Sequence, residues 1–354
     1  MLNVFDYVIV VLYIAGTVAL GLFIGRRLKT GRDFFLAGRS MPWWAIGVSL
    51  VATDIGATDI IGVGGQAYRY GLAVANFEWI GCVPAMIVGA FIFIPYFWRL
   101  GVYTIPEFME RRYNVAVRGA VAFCWLLFMA SNVGILLYAS AKMVGELFGW
   151  DMTASILGIA ALAGLYTCAG GLAAVIYTDV VQGVVMIGGC LLVLVLGLVE
   201  IGGVGELKEA LRRAEAAATD SAVTVAVGVE DPSGGAISDP NGTPAHARVI
   251  LPVDTTTPFP WPGIFFGLAL ILSPAYWIGN QAIVQRSLGA RSEFDARAAY
   301  VWGALLKTIV PLVVAVPGLI AFARNPDLAD QVKAIPTLVA NLLPPGLRGV
   351  FLAA

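Results

Sequence analysis

Charge is what this sequence has least of. Lys, Arg, Asp and Glu make up 13% of its 354 residues, and the formal net charge is −1. Soluble domains carry charge on about a quarter of their residues, so this composition cannot build a water-facing surface. A near-neutral balance without a polybasic arm also leaves nucleic acid nothing to bind. Histidine is almost missing: His246 stands alone in a polar loop, where it reads as structurally silent, and His-based metal or acid/base chemistry lacks material. The four cysteines (Cys82, Cys124, Cys168 and Cys190) all lie in apolar runs and read as small hydrophobes, not as a disulfide framework or metal cluster. No nucleophile–base pair stands out, so an enzyme is not expected. Gly62-Val63-Gly64-Gly65 has no βαβ pattern around it and is not a phosphate loop.

What the chain has instead is apolar length. Hydrophobic residues reach 59%, and the mean hydropathy is +0.84. A bilayer core needs about 20 apolar residues per helix. That ruler predicts eight spans, near 4–24, 43–64, 74–98, 116–147, 154–170, 173–200, 260–280 and 301–323. The first is not a cleaved signal, because it is too long and its arginines follow it. Arg26, Arg27, Lys29, Arg32 and Arg39 fall in the first loop, Arg99, Arg111, Arg112 and Arg118 in the third, and Arg286, Arg291 and Arg297 after the seventh span. With positive loops facing the cytoplasm, the N-terminus lies outside a cell membrane and the parity closes at eight. Residues 104–113 read as a short amphipathic helix, and 201–259 as a surface helix followed by an irregular extracellular loop. Asn241-Gly242-Thr243 matches a glycosylation sequon, but Pro244 follows and the motif is common by chance. The last seven residues begin what reads as a ninth apolar helix, so the sequence is expected to be a piece of a longer chain.

Ionisable groups inside spans cost roughly 2.5–3.5 kcal/mol each on insertion scales and are functional candidates by default. Five occur: Asp54, Asp59, Glu78, Asp179 and Lys307. Asp54 and Asp59 sit mid-span, about 140° apart on a regular helix. They share a face only if the helix unwinds near Gly56, which would free carbonyls for a cation. A continuous helix with a polar stripe is the alternative, and the break is favoured. Glu78 reads equally as an interfacial carboxylate or a site residue, and Lys307 as a snorkelling lysine or a site residue. Asp179 caps a helix or marks a cation path. Ser273, Tyr276, Trp277 and Asn280 form one polar-aromatic face after Pro274, which favours a lined cavity.

The segments DFFLAGRSMPWW, GLAVANFEW, GVYTIPEFMERRYN, GGLAAVIYTDVVQ, NQAIVQRSLGARS and LLKTIVPLVVAVPGLIA follow one another from residue 33 to about 323. Together they resemble the sodium/solute symporter family, within it the sodium/glucose cotransporter branch. The resemblance implies an all-α polytopic membrane protein with a LeuT-type five-plus-five inverted repeat and one extra N-terminal helix (4–24). The first repeat would be 43–200, the extracellular loop 201–259, and the second repeat, truncated, 260–354. It implies sodium as coupling ion, no organic cofactor, and a small polar solute, a sugar or polyol, imported by alternating access. Rivals are a same-fold symporter for an amino acid, organic anion or vitamin, and a non-transporting sensor module.

Carried over residue by residue, the resemblance makes Ala52 and Ile55 sodium ligands through their carbonyls, and Asp179 a residue on the inward sodium route. Glu78, Lys307 and Tyr276 match solute contacts, Tyr276 also closing the inner side. Val63 and Phe77 match the outer gate. Three solute positions depart from sugar carriers: Asp59 stands where they resemble glutamine, Gly81 where they have serine, and Ser273 where they have asparagine. Those changes alter the hydrogen-bonding set for a hexose.

Overall fold

A backbone in lipid must satisfy its own polar groups, which leaves helices or a closed barrel. The computed structural model describes residues 3–353 apart from 27, 28, 57, 219–244, 256 and 329. Among these the chain is helical, with only a single bridge between Met41 and Ala290. The first helix, α1 (Val4–Gly25), starts on an Asn3 cap whose amide is returned to Asp6. Asp6 also accepts from Gly346 and Gly349 at 2.7 and 2.9 Å, tying α1 to the final described helix. A short helix, α2 (Gly31–Leu36), leads to α3 (Trp43–Asp54).

Beyond α3 a π-helical turn, Thr58–Val63, runs into α4 (Gly64–Tyr70). Then come α5 (Asn76–Val88), α6 (Ile94–Leu100) and the amphipathic α7 (Ile105–Arg112), capped by Thr104 where 104–113 is expected to be helical. The long α8 (Val115–Phe148) precedes α9 (Met152–Ile201). Gly171, at φ 59°, interrupts α9 where the sequence separates spans 154–170 and 173–200. After α10 (Val204–Ala218), a π-helical stretch Gly263–Leu272 feeds α11 (Ser273–Gly279), and α12 (Gln281–Leu288) follows at a 51° bend. The central element is α13 (Glu293–Arg324), packed on α3, α4, α5 and α9. The chain finishes with α14 (Ala334–Leu342) and α15 (Leu347–Ala353).

Five helical stretches among the described residues are long and apolar enough to cross a bilayer, six if the bent pair Gly263–Gly279 and Gln281–Leu288 counts as one. Eight were expected, and two differences account for the gap. The segment 43–64 is cut near its middle: α3 has only 12 residues, and the part beyond the break runs on into the stretch Asp59–Leu100. The segment 154–170 survives as an apolar helix, Met152–Leu165, shorter than a full span.

His246 corrects an expectation. It is not a silent loop histidine: it is 3% exposed and stacks on Phe322 at 4.0 Å between ring centroids. Its ring and its amide both bond the Glu215 carboxylate. Gly71 makes this docking possible, because a Cβ there would lie 2.5 Å from the His246 carbonyl. Burial pushes the Glu215 carboxyl up, but the His246 hydrogen bonds outweigh it and hold the group below its ordinary value. A depressed carboxylate stabilises the folded form at neutral pH, and that contribution disappears as pH falls through the folded-state pKa. Acidification below the ordinary glutamate range is therefore expected to undock residues 245–247, and Glu215→Gln to undock them already at neutral pH. Hydrogen exchange checks this; unchanged amide protection of 245–247 in Glu215→Gln would refute it. Of the loop expected over 201–259, residues 219–244, including the sequon at Asn241, lie outside the described residues.

Candidate functional site

The site begins where α3 stops. Ile55 is extended (φ −89°, ψ 122°) and its amide makes the last α3 hydrogen bond, to Val51 at 3.0 Å. In a continuous helix the next amides would bond the carbonyls of Ala52 and Ile55. Here the Gly56 amide donates to Asp59 Oδ2 at 2.9 Å, and the Asp59 amide donates to the Gly56 carbonyl at 3.0 Å. Asp59 thus brackets the break, and the amides that would occupy the Ala52 and Ile55 oxygens are engaged elsewhere. Freed carbonyls at a helix end are suited to a hard monovalent cation.

A second break faces the first. Asn280 is also extended (φ −75°, ψ 120°), and its side chain accepts from the Ala282 amide at 3.0 Å to start α12. The two interruptions have nearly the same backbone shape, one extended residue each. Pro274 is not the break; the signal was Gly279-Asn280, a glycine and a capping residue closing the polar-aromatic face.

Between the breaks lies a cavity of about 580 Å³. Asp54 and Asp59 both line it, as the broken helix requires and a regular one forbids. Glu78 and Gly81 reach it from α5, with Val63 and Phe77 beside them. Ser273, Tyr276, Trp277 and Asn280 supply the facing wall. Gly81 packs against Leu268, where a Cβ would come to 3.0 Å.

Lys307 does not snorkel. It is fully buried on α13, and its Nζ donates to both Asp54 Oδ2 and Glu78 Oε2. The Trp277 ring centroid is 5.9 Å from that nitrogen. Asp54, Glu78 and Cys82 place ligand atoms within 4.8 Å of one another, an arrangement that would suit a metal ion. The ammonium of Lys307 already bridges its two carboxylates. Glu78, 6% exposed, is therefore no interfacial carboxylate. Asp54 was singled out as an intramembrane acid, but its pairing with Lys307 was not foreseen, since 253 residues separate them.

Asp179 has company that the sequence did not predict. Its Oδ2 accepts from Ser49 Oγ at 2.6 Å, Thr53 Oγ1 at 3.2 Å and Arg286 at 3.1 Å. Arg286, expected in a cytoplasmic loop, is 7% exposed and also bonds Ser49. The turn at Asn280 causes this, folding α12 beneath α3 instead of letting the chain run out to solvent. Ser49 and Thr53 are one helical turn apart on α3, and Thr53 also lines the cavity, so a polar track joins the cavity to Asp179.

The comparisons with known proteins bear on the family and the fold. A model described as the sodium:solute symporter family matches residues 34–354. The chain is 33% identical to a sodium/glucose cotransporter of Vibrio parahaemolyticus, across 100% of its own length and 64% of the relative's. It is 33% identical to a sodium/myo-inositol cotransporter of Bos taurus (100% and 51%) and 32% identical to sodium/glucose cotransporter 4 of Homo sapiens (99% and 52%). The chain thus spans about half to two thirds of the length of these relatives. A solved Na+-coupled sialic acid symporter, in a substrate-bound outward-open state, aligns at a TM-score of 0.79 and 23% identity, over 99% of this chain and 68% of that one.

Proposed function

This chain belongs to the sodium:solute symporter family, has its all-α LeuT-type fold, and on that premise we propose that it serves a symporter in which sodium entry drives uptake of a small polar solute, a sugar or polyol. The observation that carries the reading is the Asp59-bracketed break, which frees the Ala52 and Ile55 carbonyls beside a solute-sized cavity. Sodium is cargo here, not a resident cofactor. Each inward sodium contributes about 2.3 kcal/mol per 100 mV of membrane potential, before its concentration gradient.

In this reading Asp59, Glu78, Gly81, Ser273 and Tyr276 surround the solute, and Lys307 acts through the two carboxylates it bridges. Tyr276 closes the inner side. Val63 and Phe77 form the outer gate, where Phe77 meets Phe259 edge-on at 5.4 Å. Asp179 receives departing sodium along the Ser49–Thr53 track, with Arg286 as its resting partner. Residues 43–200 and 260–354 serve as the two repeats, set in the cell membrane with the N-terminus outside. Ion and solute meet at one break, so occupancy of either stabilises a geometry the other uses, and the coupling is reciprocal.

Sodium-driven flux tests it. In proteoliposomes carrying the protein expressed from its full reading frame, uptake of a sugar or polyol is expected to need an inward sodium gradient and to collapse when potassium replaces sodium. Uptake that is indifferent to sodium across a panel of sugars, polyols, amino acids and organic anions would end this reading.

A further inference from the structure

The cavity walls carry an excess of negative charge. Asp54, Asp59 and Glu78 line it, and among the described residues no Lys, Arg or His does. Among the described residues the one cation in contact, Lys307, stands behind the wall and spends its ammonium on Asp54 and Glu78. Asp59 has a hydrogen bond from the Gly56 amide and no basic partner among the described residues. With all three ionised, three carboxylates against one ammonium would leave two charges uncompensated, a costly state at mid-membrane that a bound cation relieves.

Sodium at the neighbouring carbonyls supplies one positive charge. We propose that the solute supplies the other: it is a hydroxylated small molecule bearing a protonated amine, whose nitrogen faces Asp59. This rests on the reading of the cavity as the transport site and goes beyond it in solute class.

A second feature points independently to a ligand. Ser273 is 3% exposed, lines the cavity, and its Oγ has no hydrogen-bond partner among the described residues. A buried hydroxyl without a partner is costly, and a solute hydroxyl or N–H beside it removes that cost. The aromatic wall fits as well. Trp277 already lies near one ammonium, that of Lys307, and aromatic faces attract cations best when water is excluded. A cavity of about 580 Å³ is within the ordinary range for a small-molecule site.

The test pairs each amine with its neutral parent: N-methyl-D-glucamine with sorbitol, and D-glucosamine with D-glucose. Thermal stabilisation of the purified protein, in sodium, measures binding; sodium-dependent uptake into proteoliposomes measures transport. The amines are expected to bind at least tenfold tighter than their parents. Asp59→Asn, which keeps an oxygen for the Gly56 amide, is expected to reduce the ratio of amine to parent affinity tenfold, whatever it does to the parents' own affinity. Neutral parents binding as well as the amines, no binding by any of the four, or an amine preference untouched by Asp59→Asn would each overturn the proposal. Charge-selective binding without sodium-dependent uptake would uphold it and overturn symport instead. Sodium-dependent uptake without charge preference would do the reverse, and would assign the second positive charge to another ion.

Discussion

Lys307→Ala is expected to abolish measurable uptake and to destabilise the protein together. The ammonium is fully buried and bridges Asp54 and Glu78. Its removal leaves two carboxylates facing each other in an apolar core, and breaking such an arrangement costs about 3–5 kcal/mol. That alone lowers the melting temperature and does not assign a role in the site, so a compensated variant is needed. Asp54→Asn with Glu78→Gln and Lys307→Met replaces the whole charged set by neutral groups of similar size, a change that often restores stability. Stability is expected to return in the triple variant while solute affinity stays depressed by about 10²-fold, the size of losing one or two charge-assisted hydrogen bonds. Wild-type uptake by Lys307→Ala would remove the triad from the site. Wild-type uptake by the triple variant would reduce it to packing.

The break near Gly56 was legible because two aspartates and a glycine in the centre of one apolar span make a regular helix expensive. Its chemistry was less so. Nothing in the pattern says that Asp59 folds back onto the Gly56 amide, because that contact exists only once the helix has ended. The wall made by Ser273, Tyr276, Trp277 and Asn280 was readable from their i, i+3, i+4, i+7 spacing. The second break was not, because Pro274 sits at the start of α11 and is accommodated there, while the turn comes at Asn280, a residue type equally at home in a helix face or a cap. Long-range pairings escaped altogether: Lys307 with Asp54, and Arg286 with Asp179, join residues more than a hundred positions apart. Arg286 shows the cause well. Counting basic residues places it in a loop, and only the turn at Asn280 brings it under α3. His246 failed for the same reason, since its burial depends on Gly71 and Phe322 arriving from distant elements.

Gly318→Ala is expected to disrupt the site from a distance. Gly318 lies on α13, about three turns beyond Lys307, where α13 crosses α4. A Cβ there would sit 2.2 Å from the Gly64 carbonyl oxygen and 3.0 Å from both the Ala67 Cβ and the Tyr68 amide. Two of those three neighbours are backbone atoms in a helix, so no rotamer change relieves the overlap and the helices must separate. Overpacking of this kind costs about 1–3 kcal/mol, sometimes more. The helix that must move is the continuation of the broken span, eight residues beyond Gly56, so separation also shifts the Asp59 bracket. Gly188→Ala provides the control: nothing lies within 4 Å of its Cβ, and alanine favours a helix over glycine by up to about 1 kcal/mol. Gly318→Ala is therefore expected to melt at lower temperature than wild type and to bind sodium more weakly. Gly188→Ala is expected to match or exceed wild type in both. Equal melting temperatures for the two variants would show that α4 and α13 tolerate separation, and that the geometry of the break does not depend on their contact.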